Sequence, residues 1–534
     1  MTSPNDPTAS PPLDPTPDGL PRAEGAALGA LLGVGEGAKD HLTILSGTAQ
    51  NIVGLAVFVL ASFGMNIVIA RAFGEEGRRV LGLVTLATQL AFVVAGATRF
   101  GMDMAAVRRV AIEVGKGEPG RSRAVVRLAV AISVIVSLAV AAVAFALAAP
   151  IAGVLNAPTA ALRAAAIALP FVAVAQVILG GSRGLKIMRD TLVAYWVGQP
   201  VSWIVLSLIA WTFSKTVTAT VITYGASWLV ATIVAWFLWH RDTARFGHLP
   251  AEQGEVRALM RYGAPRAPAA LLSQALFYTD FFVLSAYTEG PSLGVYAASV
   301  RVAQALVLFL TAVSHMFSPF VADLHERGER DRLNGLFKAI TRWTLAGTIP
   351  LLLLFMVAPG PVLQVFGAKF QTGTAWLRIL LVGQIVNVSV GAAGFVLIMA
   401  GRTGWDLVVY ASSFALDLGL SLVLVPRFGP TGAAVAQATT LALSNAFRVA
   451  LVWRFVRIQP YDRHYARLAV PAAVAGAAMV AVHAALGNGP WPVDLTGTAL
   501  VGGLVYLVAL VTAGLTPTEK ATILRVLRRR PASV

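Results

Sequence analysis

From Ile44 to Leu515 the chain is a series of about fourteen apolar stretches of helical length, each parted from the next by a short loop. A bilayer's hydrocarbon core takes roughly 20 apolar residues per spanning helix and offers no partner to a free backbone N–H or C=O. The series therefore predicts an all-α integral membrane protein that crosses the bilayer many times. Of the 534 residues 57% are hydrophobic and 13% charged, too few polar groups to coat a water-soluble globule of this size.

Hydropathy reads as spans near 46–70, 80–98, 128–149, 161–181, 191–213, 218–239, 267–286, 294–321, 339–358, 375–400, 406–425, 430–453, 468–486 and 495–514. The net charge of +16 would suit a nucleic-acid partner if the basic residues formed one patch. Instead they alternate. With the N-terminus inside, 32 of the 42 Lys and Arg fall in inner loops and tails and about 8 in outer loops. That bias orients helical membrane proteins with their positive loops inside, so the charge is a topology signal and no nucleic acid is called for. An even number of spans puts both termini in the cytoplasm, with the protein multi-pass in the cytoplasmic membrane.

The chain divides accordingly into a Pro-rich tail at 1–43, a six-helix lobe at 44–240, a linker at 241–266, a second six-helix lobe at 267–460, two added spans at 461–515 and a basic tail at 516–534. Seven prolines in the first twenty-two residues predict a disordered tail without the apolar region of a signal peptide. The tract Gly33 to Lys39 is superficially like a phosphate loop but lacks the adjacent Gly-Lys-Ser/Thr and a preceding strand. The second tail, from Lys520 to Arg530, reads either as a basic segment on an anionic leaflet or as a plain topology anchor. The absence of cysteine excludes disulfides and thiol nucleophiles. No metal or cofactor is called for.

Spans 1–2 and 7–8 share a plan. MNIVIARAFGEEGRRVLGLVTLATQL and DFFVLSAYTEGPSLGVYAASVRVAQAL each run a helix into a short outer turn and back, aligning Leu81-Gly82 with Leu293-Gly294 at an offset of 212 residues. Six spans separate the copies, so both enter the membrane in the same direction: either a parallel repeat, as in a two-lobed transporter, or two unrelated hairpins with ordinary turn residues.

These residues carry a family resemblance. VFGAKFQTGTAWLRILLVGQIVN, followed by LIMAGRTGWDLVVYASSFALDLGLSLVLVPRFGPTGAAVAQATT, resembles the C-terminal half of the polysaccharide and oligosaccharide flippases of the multidrug/oligosaccharidyl-lipid/polysaccharide exporter superfamily. The turn after the first span, at Arg71 and Gly74, and the seventh-span Asp280 with Gly294 and Tyr296, are similar to that family's. The chain departs from the pattern at Arg78-Arg79-Val80 and at Asp417, where the family often carries Asn. The resemblance implies a flippase, not an enzyme, that moves a polyprenyl-linked oligosaccharide between leaflets by alternating access, alongside glycan polymerase or glycosyltransferase partners. A multidrug-type extruder and a peptidoglycan-precursor flippase are the alternatives within the superfamily. A polyprenyl-dependent membrane glycosyltransferase is the alternative outside it, with Glu75 and Glu76 in the first outer loop, though every outer loop is short.

A flippase needs a hydrated cavity lined by cations and amides to take a sugar-diphosphate headgroup, and ionisable residues within spans are the first candidates. Arg301 either pairs with Asp280 across the hairpin or binds phosphate. Arg71 either snorkels to the interface or meets the diphosphate. Arg448 reads as an interfacial anchor. Asp417 is either hydrogen-bonded to a neighbouring helix or a coupling-ion or proton site. Gln50 and Asn66 in span 1 and Gln304 in span 8 either form a polar stripe facing the cleft or bond between helices. Gly198-Gln199-Pro200, Pro170 and Pro350 mark points where spans can bend.

Overall fold

In a computed structural model the described residues are 57 and 60–515, apart from 186, 264–265, 289, 308, 312–313, 315–320, 322–323, 325–327, 392 and 401–402. The two tails and Gln50 lie outside them. The described residues form helices joined by turns and short irregular segments, with no strand among them, and eleven of the helices are long and apolar enough to cross a membrane. One of the eleven, Leu407–Phe455, is two helices joined across Gly429, whose φ of 54° no helix contains. The expected first span is represented by Leu60–Ala72, and the expected seventh is two shorter helices.

Helix α1 (Leu60–Ala72) turns at Gly74 into α2 (Gly77–Thr98). Phe100 and Gly101, at φ 51° and 68°, then reverse the chain, a left-handed conformation that glycine adopts without strain. The basic loop that follows is not plain coil. It holds α3 (Met102–Gly115), which the hydropathy reading missed because its charges interrupt the apolar run. Spans α4 (Ser122–Ala146) and α5 (Thr159–Gly184) come next, and α5 packs against α2, α3 and α4. Pro170 lies inside α5 without ending it.

The fifth span opens with a π-turn at Leu192–Gly198 before α6 (Gln199–Trp211). Its cause is legible in Gly198-Gln199-Pro200. Pro200 has no N–H to give the preceding turn, and a Cβ at Gly198 would lie 2.6 Å from the Val193 carbonyl oxygen, so the wide turn needs both residues. Next come α7 (Val217–Thr243), the short α8 (Glu255–Gly263), and the broken seventh span, α9 (Arg266–Leu276) and α10 (Thr279–Tyr287). The chain continues through α11 (Gly290–Ala305), α12 (Arg330–Val357), α13 (Thr374–Val390), α14 (403–428) and α15 (430–455). A closing hairpin of α16 (Ala469–Leu486) and α17 (Trp491–Ala509) packs on α12.

The seam between the earlier and later spans is α2 against α11 and α9. Gly82 and Gly294, aligned by the sequence repeat, meet here. A Cβ on Gly82 would stand 2.7 Å from the Gly294 nitrogen, and one on Gly294 would strike the Arg78 carbonyl. Equivalent residues that touch one another sit at the pseudo-axis of a parallel repeat, where only glycine lets two backbones approach so closely.

At the end carrying most of the Lys and Arg, called here the basic end, Arg109 of α3 grips Glu255 of α8 at 2.7 Å and reaches Glu113 at 3.1 Å and Glu252 at 3.3 Å. Lys116 adds a 2.8 Å bond to Glu252, which together with Arg109 holds that carboxyl below its ordinary range, while the same bond raises the Lys116 ammonium. The lowered acid contributes once pH exceeds its ordinary value and is lost as pH falls through the lowered one. The raised base contributes below its ordinary value and is lost as pH rises through the raised one. The clasp therefore holds across neutral pH and loosens at either extreme.

Gly294→Val is expected to destabilise the protein by about 1–3 kcal/mol, because backbone cannot yield to the new side chain. The same change at exposed Gly404, which has nothing within 4 Å, is expected to be neutral. Thermal unfolding in detergent, read by tryptophan fluorescence, checks the difference.

Candidate functional site

Between the earlier and later spans a set of arginines and tyrosines converges. Arg99 ends α2, its guanidinium paired with Asp103 at 3.4 Å, and Arg183 occupies the last turn of α5. Both lie within electrostatic reach of Tyr195, which the π-turn carries, and so does Tyr278, which sits in the break between α9 and α10. Tyr224 of α7 is in turn within reach of Tyr195, Tyr278 and Arg301. Arg183 and Arg301 make no hydrogen bond or ion pair among the described residues. Three guanidinium groups are thus linked through Tyr195 and Tyr224, with Asp103 beside Arg99 and Arg183, a balance of charge that favours an anion over a cation. The sequence offers Arg301 as a candidate, while Arg99 and Arg183 count there only among the loop charges.

The remaining expected residues fall in three places. Gln304 lies three residues after Arg301, on the same face of α11. Asn66 is buried and turns its amide back to the Ser62 carbonyl at 2.6 Å, a bond within its own helix. Asp280 does not pair with Arg301. Its partner is the Tyr296 hydroxyl, which lies across the hairpin on α11 and donates to one carboxylate oxygen; the other oxygen has no hydrogen bond.

Asp417 of α14 is 1% exposed, and neither of its carboxylate oxygens has a hydrogen bond of good geometry. It lies within electrostatic reach of Asp280, with Thr440 of α15 beside it. Two buried acids from different spans, with three oxygens unpaired among the described residues, form a costly polar arrangement. Such a pair is tolerable when protons or a cation neutralise it. At the basic end Glu113, Glu118 and Glu252 also bring carboxylate oxygens within 4.8 Å of one another, but Arg109, Lys116 and Arg121 already balance them. Arg448 stands over the Tyr410 ring at 5.0 Å, inside α15 rather than at its end.

Arg71 lies at the far end, away from the arginine cluster. Its Nε donates to the Val365 carbonyl at 2.8 Å, another nitrogen donates to the Gln364 carbonyl at 3.3 Å, and the guanidinium stands 5.7 Å from the Trp491 ring. It thereby ties α1 to the end of the short helix Pro359–Gln364 and to the start of α17, a favourable place for a cation because helix carbonyls converge there. Around it Glu75 pairs with Lys369, Asn156 donates to the Ser285 carbonyl at 3.3 Å, and Phe63 meets Phe366 edge-on at 5.1 Å. Every one of these contacts joins the earlier spans to the later ones. The far end is sealed.

Comparison with known proteins agrees with this architecture. Residues 44–325 match the model of the family described as polysaccharide biosynthesis protein. The chain is 24% identical over 208 residues to the probable low-salt glycan biosynthesis flippase Agl15 of Haloferax volcanii, a match that covers 38% of this chain and 43% of that relative. The chain thus spans less than half the length of the curated relative it matches. Among solved structures it is similar to the lipid II flippase MurJ in an inward closed conformation, with a TM-score of 0.63 at 13% identity, over 91% of this chain and 100% of that one. It is also similar to an inward-facing multidrug resistance MATE family transporter of the MOP superfamily, with a TM-score of 0.62 at 13% identity, over 78% and 98%. At that identity the two structures speak for the fold.

Arg71→Ala is expected to loosen the far-end seal without unfolding the protein. Spin labels on cysteines placed at Ala157 and Tyr287, in a chain that has no cysteine of its own, should report a broader and longer distance distribution than in the unsubstituted background. An unchanged distribution would leave Arg71 without a part in the seal.

Proposed function

The chain belongs to the polysaccharide biosynthesis protein family, and from that premise we propose that it is a flippase carrying a polyprenyl-diphosphate-linked oligosaccharide across the cytoplasmic membrane. The observation that carries this reading is the convergence of Arg99, Arg183 and Arg301 between the two halves. A diphosphate brings two or more negative charges to that region, and guanidinium groups recognise phosphate oxygens through forked donors that an ammonium lacks. A cationic drug would be repelled, which speaks against a multidrug-type extruder. Gln304 adds an amide beside Arg301.

In this reading the basic end faces the cytoplasm, both termini lie there, and the far-end seal makes the conformation inward-facing. The headgroup enters from the cytoplasmic side while its polyprenyl tail stays in lipid. Arg71 releases Val365 and Gln364 when the far side opens and is then free to meet the departing diphosphate. The glycan would come from membrane glycosyltransferases and pass to a polymerase or transferase on the far side. A peptidoglycan-precursor flippase is the second reading. It is favoured by the match to MurJ, which extends over 91% of this chain, but not by the family model or the glycan-related relative.

Asp280 and Asp417 are the proposed coupling site, for a proton or a small monovalent cation. The fifth and sixth spans, counterparts of α14 and α15, support the assignment by contrast. There Ser207 meets Thr223 at 2.7 Å and Gln199 donates to Ser227 at 3.0 Å, so neutral groups satisfy one another and nothing needs a cation. Among the described residues the buried acids of the first half, Glu113, Asp190 and Glu255, each have an arginine partner, unlike Asp280 and Asp417.

Three measurements test the proposal. In cells lacking the protein, lipid-linked glycan should accumulate in the inner leaflet; accumulation in the outer leaflet would point to a transferase, and none at all would refute the flippase. In the complemented strain Arg183→Ala and Arg301→Ala should each lower export at least about tenfold, the scale of one lost charge-assisted phosphate contact, while membrane insertion is kept. Asp417→Asn should abolish dependence of transport on the sodium or proton gradient while leaving diphosphate binding intact. Gradient-dependent transport by that variant would remove Asp417 from the coupling site.

A further inference from the structure

A buried acid closes the tip of the last hairpin. Asp494, in the first turn of α17, is 1% exposed, yet both of its carboxylate oxygens have hydrogen-bond partners. His483 of α16 brings its Nδ1 to 2.9 Å from each of them, and the Thr498 hydroxyl donates to one at 3.2 Å. An ionised carboxylate only accepts, so the proton of the imidazole bond is on Nδ1. The start of a helix adds to the hold on a negative charge. An acid taken out of water and partnered in this way fixes the groups around it, because any movement that strips its partners is costly.

What the network fixes is Trp491. It lies one turn before Asp494, on the same face of α17, and its ring is the one over which the Arg71 guanidinium stands at 5.7 Å. Leu495, next to Asp494, packs against the core shared by α1, α2, α10 and α11. Deeper in the hairpin the Tyr506 hydroxyl donates to the Ala346 carbonyl of α12 at 2.7 Å, and a Cβ on Gly502 would strike Met479 of α16. The opposite face of α17 is turned outward, with Leu500 and Leu504 exposed. One side of the helix is therefore free for lipid, and the other is tied to the body of the protein from Trp491 to Tyr506.

Resting on the alternating-access cycle of the flippase reading above, we propose that the closing hairpin is a working part of the far-side gate, and that His483, Asp494 and Thr498 are positioning residues that hold Trp491 against Arg71. The guanidinium then closes on three elements at once: α1, the end of the short helix Pro359–Gln364 and the tip of α17. Opening the far side breaks the contact of arginine with indole, while the His483–Asp494 bond keeps the tip in place to receive Arg71 when the gate closes again. The hairpin sets how readily the gate closes, and the arginines between the halves set what is bound.

The test uses the full chain in lipid nanodiscs and reads the spin-label distance between cysteines at Ala157 and Tyr287. Trp491→Ala and Asp494→Ala should each broaden and lengthen the distribution as Arg71→Ala does. Trp491→Ala added to Arg71→Ala should change little further, since the two substitutions remove one shared contact. Trp491→Phe, which keeps a ring for the guanidinium, should retain most of the sealed population and guards against misfolding as the cause. Leu504→Ala, on the outward face of the same helix, should leave the distribution as it is. In transport assays Asp494→Ala should lower turnover about threefold or more with KM within about twofold, the split expected of a residue that acts on the gate and not on the bound substrate. If Trp491→Ala and Asp494→Ala leave the distribution unchanged while Arg71→Ala broadens it, the hairpin assignment is overturned and the flippase reading stands. If cells lacking the protein accumulate no lipid-linked glycan while the labels respond as expected, the flippase reading falls and the hairpin stands as part of the gate for another cargo.

Discussion

A guanidinium in the hydrocarbon region costs several kcal/mol unless water, a carbonyl or an anion reaches it. That constraint shapes the space between the two halves. Arg71 meets it with backbone carbonyls and an indole face, and the far end closes around it. Arg183 and Arg301 meet it differently. With no hydrogen-bonded partner among the described residues, they need a space that water or an anionic headgroup can enter. One guanidinium ties the halves together, while the others make no such tie among the described residues and are left for the proposed anionic headgroup.

Regular helices alone would not place these side chains. A straight fifth span would present Tyr195 on whatever face a 3.6-residue turn dictates. Pro200 and Gly198 widen the turn and move it. The break after Leu276 does the same for Tyr278. Gly82 and Gly294 act in the opposite sense, removing side chains so that α2 and α11 can touch. Close contact at the seam and irregular turns beside it let two bundles be in tight register at one level and open at another.

Much of this was legible in the sequence, and the part that was not has a physical reason. Apolar length gave the spans, and the alternation of basic loops gave the end at which α3 and α8 clasp. The offset that aligns Leu81-Gly82 with Leu293-Gly294 predicted a repeat, and the two glycines meet. Arg99 and Arg183 were hidden because an arginine at a helix end can point to solvent or inward, and hydropathy is blind to the choice. The Asp280–Arg301 pairing was a fair expectation from two charges on one hairpin. Tyr296 displaced Arg301 because it stands across the hairpin from Asp280 and offers a donor without a second buried charge to desolvate. The contact of Arg71 with Trp491 joins residues 420 positions apart, beyond the reach of any local pattern.

One helix, α11, joins the acid pair to the seam between the halves. Tyr296, the partner of Asp280, lies on α11 two residues beyond Gly294, and Gly294 rests on the Arg78 carbonyl of α2. Asp280 itself lies on α10, which packs along α14 and α15 near Asp417. Neutralising the two acids lets α10 and α14 remain together; leaving both charged makes like charges repel in a low dielectric and strains the Asp280–Tyr296 bond. Any movement of α11 in response acts directly on its glycine contact with α2, since packed backbone shifts as a unit and cannot deform gradually. In the proposed cycle the occupancy of a site buried in one half is thereby felt at the seam between halves, without a long chain of intermediaries.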